Sequence, residues 1–94
     1  MAITKKQETI IKNVTRKFQP KLIGVFGSYA RGEQNEGSDL DLLIDFEEKI
    51  NLLELIGLEQ ELSDLLGIKV DLITQKSLHP PLKSLIEKDL IRIL

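Results

Sequence analysis

The sequence contains no cysteine among its 94 residues. This excludes a disulfide framework, zinc sites built on thiolates and a cysteine nucleophile. The chain also has little excess charge of either sign, because 13 Lys and Arg stand against 15 Asp and Glu, for a formal net charge of −2. So small an imbalance gives no general attraction to nucleic acid, and we expect no direct binding of nucleic acid.

Long apolar runs are missing as well. No stretch is apolar for long enough to act as a signal peptide or to span a membrane. We therefore expect a soluble, cytoplasmic protein that binds no membrane. The phosphate-binding pattern G-x-x-x-x-G-K-[ST] does not occur, which excludes a P-loop kinase. With no repeat, low-complexity tract or linker, residues 1–94 predict a single domain.

The most informative pattern that is present has the spacing G-S-x10-D-x-D, formed by Gly27, Ser28, Asp39 and Asp41. Residues 39–46 alternate between two kinds of side chain, which predicts a β-strand. Asp39 and Asp41 then share one face of the strand, with their Cα atoms roughly 7 Å apart. Two carboxylates so close repel one another and raise each other's pKa. A divalent cation relieves that repulsion, and Mg²⁺ prefers oxygen ligands.

A second strand is predicted over residues 21–26, and it ends at Gly27. A glycine and a serine at a strand-to-helix turn supply backbone N–H groups and a hydroxyl that suit phosphate oxygens. Taken singly, Gly27 and Ser28 could form an ordinary turn with a capping serine, and Asp39 and Asp41 could be exposed acids. Together they favour metal-assisted phosphoryl or nucleotidyl transfer, which needs a phosphate site beside paired carboxylates.

Two capping boxes mark the beginnings of two helices. Thr4 with Gln7 opens the first helix, which we expect to continue until Pro20 stops it. Asn51 begins the second helix, which we expect to end before Gly67. The predicted apolar stripe of the second helix, interrupted by one polar residue, Glu59, comprises Leu52, Leu55, Ile56, Leu62, Leu65 and Leu66.

The remaining segments complete a predicted mixed α/β order. Residues 69–74 predict a strand that follows the second helix, so strands 39–46 and 69–74 should lie parallel in one sheet. Residues 32–38 are polar and bounded by glycine, which indicates a mobile loop. Two prolines after His79 should break the chain before a final helix from about Leu82. Residues 90–94 are too few for their apolar spacing to distinguish helix from strand.

Residues 25–32 and 37–44 closely resemble the minimal nucleotidyltransferases of the DNA polymerase β superfamily. Within that superfamily the chain looks most like the small MNT-type proteins, which are commonly antitoxin partners of HEPN-domain toxins. The resemblance covers roughly residues 21–74. It implies an α/β (α+β-like) fold of the polymerase-β nucleotidyltransferase type, a small mixed sheet flanked by helices. It also implies a third carboxylate on a later strand, for which Asp71 is the candidate.

By this resemblance the chain would be a Mg-dependent nucleotidyltransferase with ATP as substrate and two Mg²⁺ ions as cofactors. The residues that would be catalytic and would hold the metal are Asp39, Asp41 and Asp71. Those that would bind the nucleotide are Gly27, Ser28 and Arg31. For Arg31, pairing with Glu33 or another nearby acid is an equally good interpretation.

The acceptor of the nucleotide is less constrained by the sequence. The chain ends about twenty residues after Asp71, so we expect the acceptor to arrive with a partner, most plausibly a helical HEPN toxin that offers a tyrosine hydroxyl. The chain would then be a protein adenylyltransferase and the antitoxin of that toxin. Two alternatives stay open: a non-catalytic module that neutralises its partner by complex formation, and the catalytic subunit of a two-subunit small-molecule nucleotidyltransferase.

Overall fold

The computed structural model describes residues 3–94, so the first two residues of the predicted domain 1–94 lie outside it. In chain order its helices and strands are α1 Lys5–Thr15, β1 Pro20–Phe26, α2 Ser28–Arg31, β2 Leu40–Phe46, α3 Leu52–Leu66, β3 Val70–Thr74, α4 Pro80–Asp89 and β4 Ile91–Arg92. Two short 3₁₀ turns follow α1 and β3, at Arg16–Phe18 and Gln75–Ser77. Within residues 3–94, no helix is both long enough and apolar enough to cross a membrane.

The strands form one mixed sheet in the order β3-β2-β1-β4. Strand β1 is antiparallel to both β2 and β4, whereas β2 and β3 are parallel. Parallel strands need a long connection between them, and α3 supplies it. The strand–helix–strand crossover expected from the sequence is therefore present, and the fold is the mixed α/β arrangement that the family resemblance implies.

One face of the sheet carries the main apolar core. Alternate residues of the two central strands point to this face and are fully buried, since side chains repeat every two residues. They pack with Ile11 of α1 and with Leu58 and Leu62 of α3. The fully buried strand residues are Ile23, Val25, Leu40, Leu42 and Ile44. Full burial of a side chain of this size contributes roughly 1.5–3 kcal/mol to folding.

The opposite face of the sheet is partly covered by α4, which contacts β1. A side chain at Gly24 would collide with Leu90, so the chain just after α4 lies directly over β1. Leu43, which pairs with Gly24, is buried, and so is Ile86 of α4. This same face carries Asp41, two residues before Leu43 on β2. Helix α4 therefore lies on the face of the sheet that carries the predicted site residues.

The apolar stripe predicted for α3 is partly wrong. Leu52, Ile56 and Leu65 were expected to face the core, yet they are 70%, 53% and 55% exposed. The residues of α3 that are buried are Leu58 and Leu62. Eight of the fifteen residues of this helix are Leu or Ile, so apolar side chains surround most of its circumference. Periodicity alone cannot then select the face that packs on the sheet.

Several boundaries also differ from the sequence-based expectation. The α1 helix ends at Thr15, earlier than expected, and Gln19 follows in a left-handed conformation with φ of 52°. Helix α4 begins at Pro80 because proline is favoured in the first turn, where its missing N–H is no loss. The open question about residues 90–94 resolves as a strand, since Ile91–Arg92 pairs with β1. Residues 32–38 form a loop as expected, and their mobility stays a prediction.

We predict that the capping box of α3 contributes measurably to stability. The Asn51 side chain accepts a hydrogen bond from the Glu54 amide at 2.8 Å, and the Glu54 side chain accepts one from the Asn51 amide at 3.2 Å. Asn51→Ala should lower the free energy of unfolding by about 1 kcal/mol. That loss lowers the melting temperature of a domain of this size by roughly 4–8 °C. Asn51→Ser, which keeps a capping oxygen, should melt close to the parent; equal melting of parent and Asn51→Ala would contradict the prediction.

Candidate active site

The candidate site is built on the turn between β1 and α2. Strand β1 ends at Phe26, and α2 begins at Ser28, so Gly27 alone makes the turn. Its φ of 74° and ψ of −151° are open to glycine and costly for other residues. A Cβ atom at position 27 would also collide with Oδ2 of Asp41. The turn predicted to hold phosphate and one predicted carboxylate are therefore in direct contact.

The sheet register brings the second carboxylate alongside. Asp41 on β2 pairs with Phe26 on β1 and with Asp71 on β3. Paired residues on neighbouring strands point to the same face, so Asp41 and Asp71 are side-by-side neighbours. Asp39 immediately precedes β2 and lies close enough to hydrogen-bond with Asp71. The three aspartates singled out in the sequence thus lie close together at one end of the strands, where β1 ends and β2 and β3 begin.

The electrostatics of these groups reflect their crowding. Burial raises the pKa of Asp41 above its ordinary value, and the charges of Asp71 and Asp39 raise it further, against the opposing charge of Arg31. Burial also raises the pKa of Asp71, with a hydrogen bond to Asp39 and the charge of Asp39 as the next causes. The carboxyl groups of Asp41 and Asp71 therefore ionise less readily here than in water. A cation bound among them would remove that penalty.

These donors suit a hard cation such as Mg²⁺, which takes carboxylate oxygens as ligands. Across residues 3–94, no three acidic or histidine side chains are already gathered into a cluster that could hold an ion. The aspartate side chains would have to turn towards a bound ion. The fit therefore rests on the chemistry and proximity of the three carboxylates.

A lysine that the sequence analysis did not single out lies beside the aspartates. The Lys69 ammonium is 3.7 Å from Oδ2 of Asp39, and its charge lowers the pKa of Asp71. Lys69 is 71% exposed along its side chain, so this ion pair adds little stability. The residue comes directly before β3, and its carbonyl oxygen accepts a hydrogen bond from the Leu40 amide. In the sequence, the position of Lys69 two residues before Asp71 was the feature that could have indicated its place in the site.

Arg31 is paired with acids at the C-terminal end of α2. Its Nη1 donates to Oδ2 of Asp89 at 2.8 Å, and its Nε lies 3.3 Å from Oε1 of Glu33. The pairing with Glu33 was one of the two interpretations of the sequence. The pairing with Asp89 was not, because that residue comes 58 positions later in the chain. Arg31 is still near enough to Asp41 to lower its pKa.

Two α3 residues missed by the sequence analysis hold the strand that carries Asp71. The Leu72 amide donates to Oε2 of Glu59 at 2.8 Å, and the Val70 amide donates to the Ser63 hydroxyl at 3.0 Å. The charge of Glu59 also raises the pKa of Asp71. In the sequence Glu59 was only a break in an apolar stripe, so no local signal indicated this contact.

Three other polar residues, Tyr29, His79 and Asp45, lie apart from the three aspartates. Tyr29 is 8% exposed and belongs to the main core, so it is a packing residue. His79 is exposed just before α4. Asp45, further along β2, pairs with Lys21 at 3.8 Å. A cavity of about 320 Å³ lies at the other end of β2, near Phe46, and none of the three clustered aspartates lines it.

Comparison with known proteins gives the family. The profile of the nucleotidyltransferase domain matches residues 8–93. A protein of Methanocaldococcus jannaschii is 58% identical over 92 residues, which cover 97% of this chain and 91% of the relative. The protein adenylyltransferase MntA of Thermococcus cleftensis is 49% identical over 81 residues, covering 86% of this chain and 78% of the relative.

A solved structure supports the same assignment. The crystal structure of a toxin–antitoxin with AMP-PNP contains a chain that superimposes with a TM-score of 0.85 at 26% identity, covering 93% of this chain and 72% of that one. The match extends over the sheet and the helices that flank it, as the family resemblance implied. Sequence similarity over nearly its whole length and this shared architecture agree: the chain belongs to the nucleotidyltransferase family and is an enzyme with the polymerase-β-type minimal nucleotidyltransferase fold.

Proposed function

We propose that this nucleotidyltransferase moves AMP from ATP to a hydroxyl group of a partner protein, a helical toxin of the HEPN type, and thereby neutralises it. The observation that carries the proposal is the direct approach of Asp41 to the Gly27 turn, with Asp71 in the paired position of the next strand. That arrangement joins a backbone suited to phosphate with the carboxylates that metal-assisted transfer needs.

The phosphate chain would be held at the β1–α2 turn. The backbone around Gly27 and the Ser28 hydroxyl would bind the β- and γ-phosphates through their N–H and O–H donors. Arg31 would add a further contact. Its ion pairs engage Nη1 and Nε, and a guanidinium carries five N–H donors, so Nη2 can still reach a phosphate oxygen.

The carboxylates would hold two Mg²⁺ ions. Asp39 and Asp41 would bind both ions, and Asp71 would bind the ion nearer the acceptor. Bound Mg²⁺ neutralises charge on the phosphates and lowers the pKa of a nearby hydroxyl. The acceptor oxygen forms its bond to the α-phosphorus while the bond to the bridging oxygen breaks, so pyrophosphate leaves. Asp71 accepts the acceptor's proton as general base.

Two findings support a protein as acceptor. The relative from Thermococcus cleftensis, 49% identical, bears the name of a protein adenylyltransferase, and the solved neighbour with AMP-PNP is a toxin–antitoxin structure. The site itself is also open at the sheet edge, since the side chain of Asp39 is 36% exposed. An open edge allows a side chain on a partner's surface to approach the α-phosphate.

The position of the transferred label distinguishes nucleotidyl transfer from phosphoryl transfer. Incubated with Mg²⁺, ATP and the co-purified partner, the protein should pass label from α-³²P-ATP to the partner and none from γ-³²P-ATP. Nucleotidyl transfer keeps the α-phosphate and releases the other two as pyrophosphate. Label is read on a denaturing gel, with EDTA as control. Transfer of the γ label would contradict the proposal. No transfer of either label would favour a non-catalytic binding module.

Ser28→Ala should weaken the binding of Mg-ATP while the protein stays folded. A hydrogen bond to a charged group is worth roughly 1.5–3 kcal/mol, which corresponds to about a 10- to 100-fold rise in Kd. Isothermal titration with Mg-AMP-PNP measures this. Ser84→Ala, on the exposed side of α4, is the matched control and should bind as the parent does. An unchanged affinity in Ser28→Ala would reduce Ser28 to a helix-forming residue.

Asp41→Asn should abolish transfer without destabilising the metal-free protein. Because the pKa of Asp41 is raised on folding from 3.8, this carboxyl stabilises the fold below pH 3.8, and that contribution is lost as pH rises through the folded pKa. The variant should therefore equal or exceed the parent in free energy of unfolding at pH 7, and the gain should shrink below pH 3.8. Urea unfolding in EDTA at both pH values measures the difference.

The control for this variant lies on the same strand face. Asp45→Asn removes an acid of β2 that pairs with Lys21, so it should leave transfer near the parental rate. Mg-ATP should also raise the melting temperature of the parent and of Asp45→Asn, and much less that of Asp41→Asn, because stabilisation by a ligand follows its affinity. If Asp41→Asn unfolds the metal-free protein while Mg-ATP shifts no variant, Asp41 is a structural residue.

A further inference from the structure

We propose that Glu59 is a positioning residue for the transfer reaction: it holds strand β3 so that Asp71 stays opposite Asp41. This inference rests on the proposed role of Asp71. It adds a residue of α3 that touches neither nucleotide nor acceptor, and whose effect passes through the backbone of β3.

The need for such a residue follows from the place of β3 in the sheet. Among residues 3–94, strand β3 lies at the edge of the sheet and pairs only with β2. An edge strand leaves alternate amides without a partner in the sheet, and such a strand is held less firmly. On β3 the two amides that flank Asp71 are instead bound by α3, Leu72 by the Glu59 carboxylate and Val70 by the Ser63 hydroxyl.

Glu59 and Ser63 both bind the backbone of β3 from the same helix. Glu59 and Ser63 are one helical turn apart and therefore lie on the same side of α3. The Ser63 hydroxyl donates to the Glu59 carbonyl oxygen at 2.9 Å while it accepts from Val70. The bond from Leu72 to Glu59 is charge-assisted and therefore among the stronger kinds. An apolar residue at position 59 would leave the Leu72 amide without this partner.

The anchoring of β3 to α3 affects the site through the register between β3 and β2. Asp71 is aligned with Asp41 through the pairing of β3 with β2, and both amides that anchor β3 to α3 are its immediate neighbours. A displacement of about 1 Å at a reacting group can cost on the order of 100-fold in rate. Glu59 therefore fixes the third carboxylate where the other two require it.

The matched pair Glu59→Gln and Glu59→Met tests this. Both replacements are unbranched and form helices well, but only Gln keeps an acceptor for the Leu72 amide. In Glu59→Met the Leu72 amide should exchange faster by NMR, and Mn²⁺ with AMP-PNP should bind roughly 10- to 100-fold more weakly by EPR titration. Transfer to the partner should fall by a similar factor in kcat. Glu59→Gln should stay within about fivefold of the parent in all three.

The controls separate positioning from loss of stability. Ser77→Ala removes a hydrogen bond to the Thr74 carbonyl at the far end of β3, and it should leave Mn²⁺ affinity and transfer unchanged. Melting temperatures are measured for every variant. Should Glu59→Met fail to fold, Ser63→Ala replaces it, and it should show the same loss to a smaller extent. Equal behaviour of Glu59→Gln and Glu59→Met, or parental Mn²⁺ affinity in Glu59→Met, overturns the inference.

Asp71→Asn run in parallel distinguishes the two levels of the proposal. If Asp71→Asn keeps parental transfer and Mn²⁺ affinity, the proposed role of Asp71 fails, and the inference about Glu59 falls with it. If Asp71→Asn is inactive while Glu59→Met is fully active, only the inference about Glu59 fails.

Discussion

Asp41 lies against the backbone of Gly27, and this close approach requires a residue without a side chain at the turn. The positive φ of Gly27 makes the same demand through the backbone itself. Because both conditions hold, β1 can end and α2 can begin within one residue while β2 runs directly alongside. The register of β2 with β3 places Asp71 directly beside Asp41, so the turn and both carboxylates lie together.

Strand β2 contributes to the stability of the fold through one face and to the candidate site through the other. Leu40, Leu42 and Ile44 of β2 are fully buried in the main core, whereas Asp41 between them faces the site. Burial of these apolar residues offsets the cost of holding partly desolvated carboxylates together, a cost seen in the raised pKa of Asp41. A strand is suited to this division of roles because its side chains alternate between faces.

The site is also embedded in contacts from parts of the chain that lie far away in sequence. Asp89, at the end of α4, binds Arg31 at the end of α2, and α3 binds the backbone on both sides of Asp71. Family membership explains the chemistry expected at this edge of the sheet, and these contacts explain how a chain of 94 residues holds the groups in place. On the proposed function, the partner's hydroxyl would reach them from the open edge.

Features that depend on neighbouring residues could be predicted from the sequence. The capping boxes at Thr4 and Asn51, the turn at Gly27 and the alternation along β2 were all predicted and are all present, because each depends on sterics or hydrogen bonds within a few positions. The spacing of Asp41 on β2 and Asp39 just before it was equally local. The resemblance carried by Gly27, Ser28, Asp39 and Asp41 predicted the family, and it implied Asp71 as the third carboxylate.

Contacts between groups that are distant in the sequence became known from the fold. The face of α3 that packs on the sheet could not be chosen from a helix with apolar residues all round, and Leu58 was missed for that reason. Arg31 pairs with Asp89, and Glu59 binds the Leu72 amide, through contacts that no local pattern encodes. Within residues 90–94, Ile91–Arg92 form a strand that pairs with the edge of β1. Such outcomes depend on the packing of whole elements, which short-range periodicity does not specify.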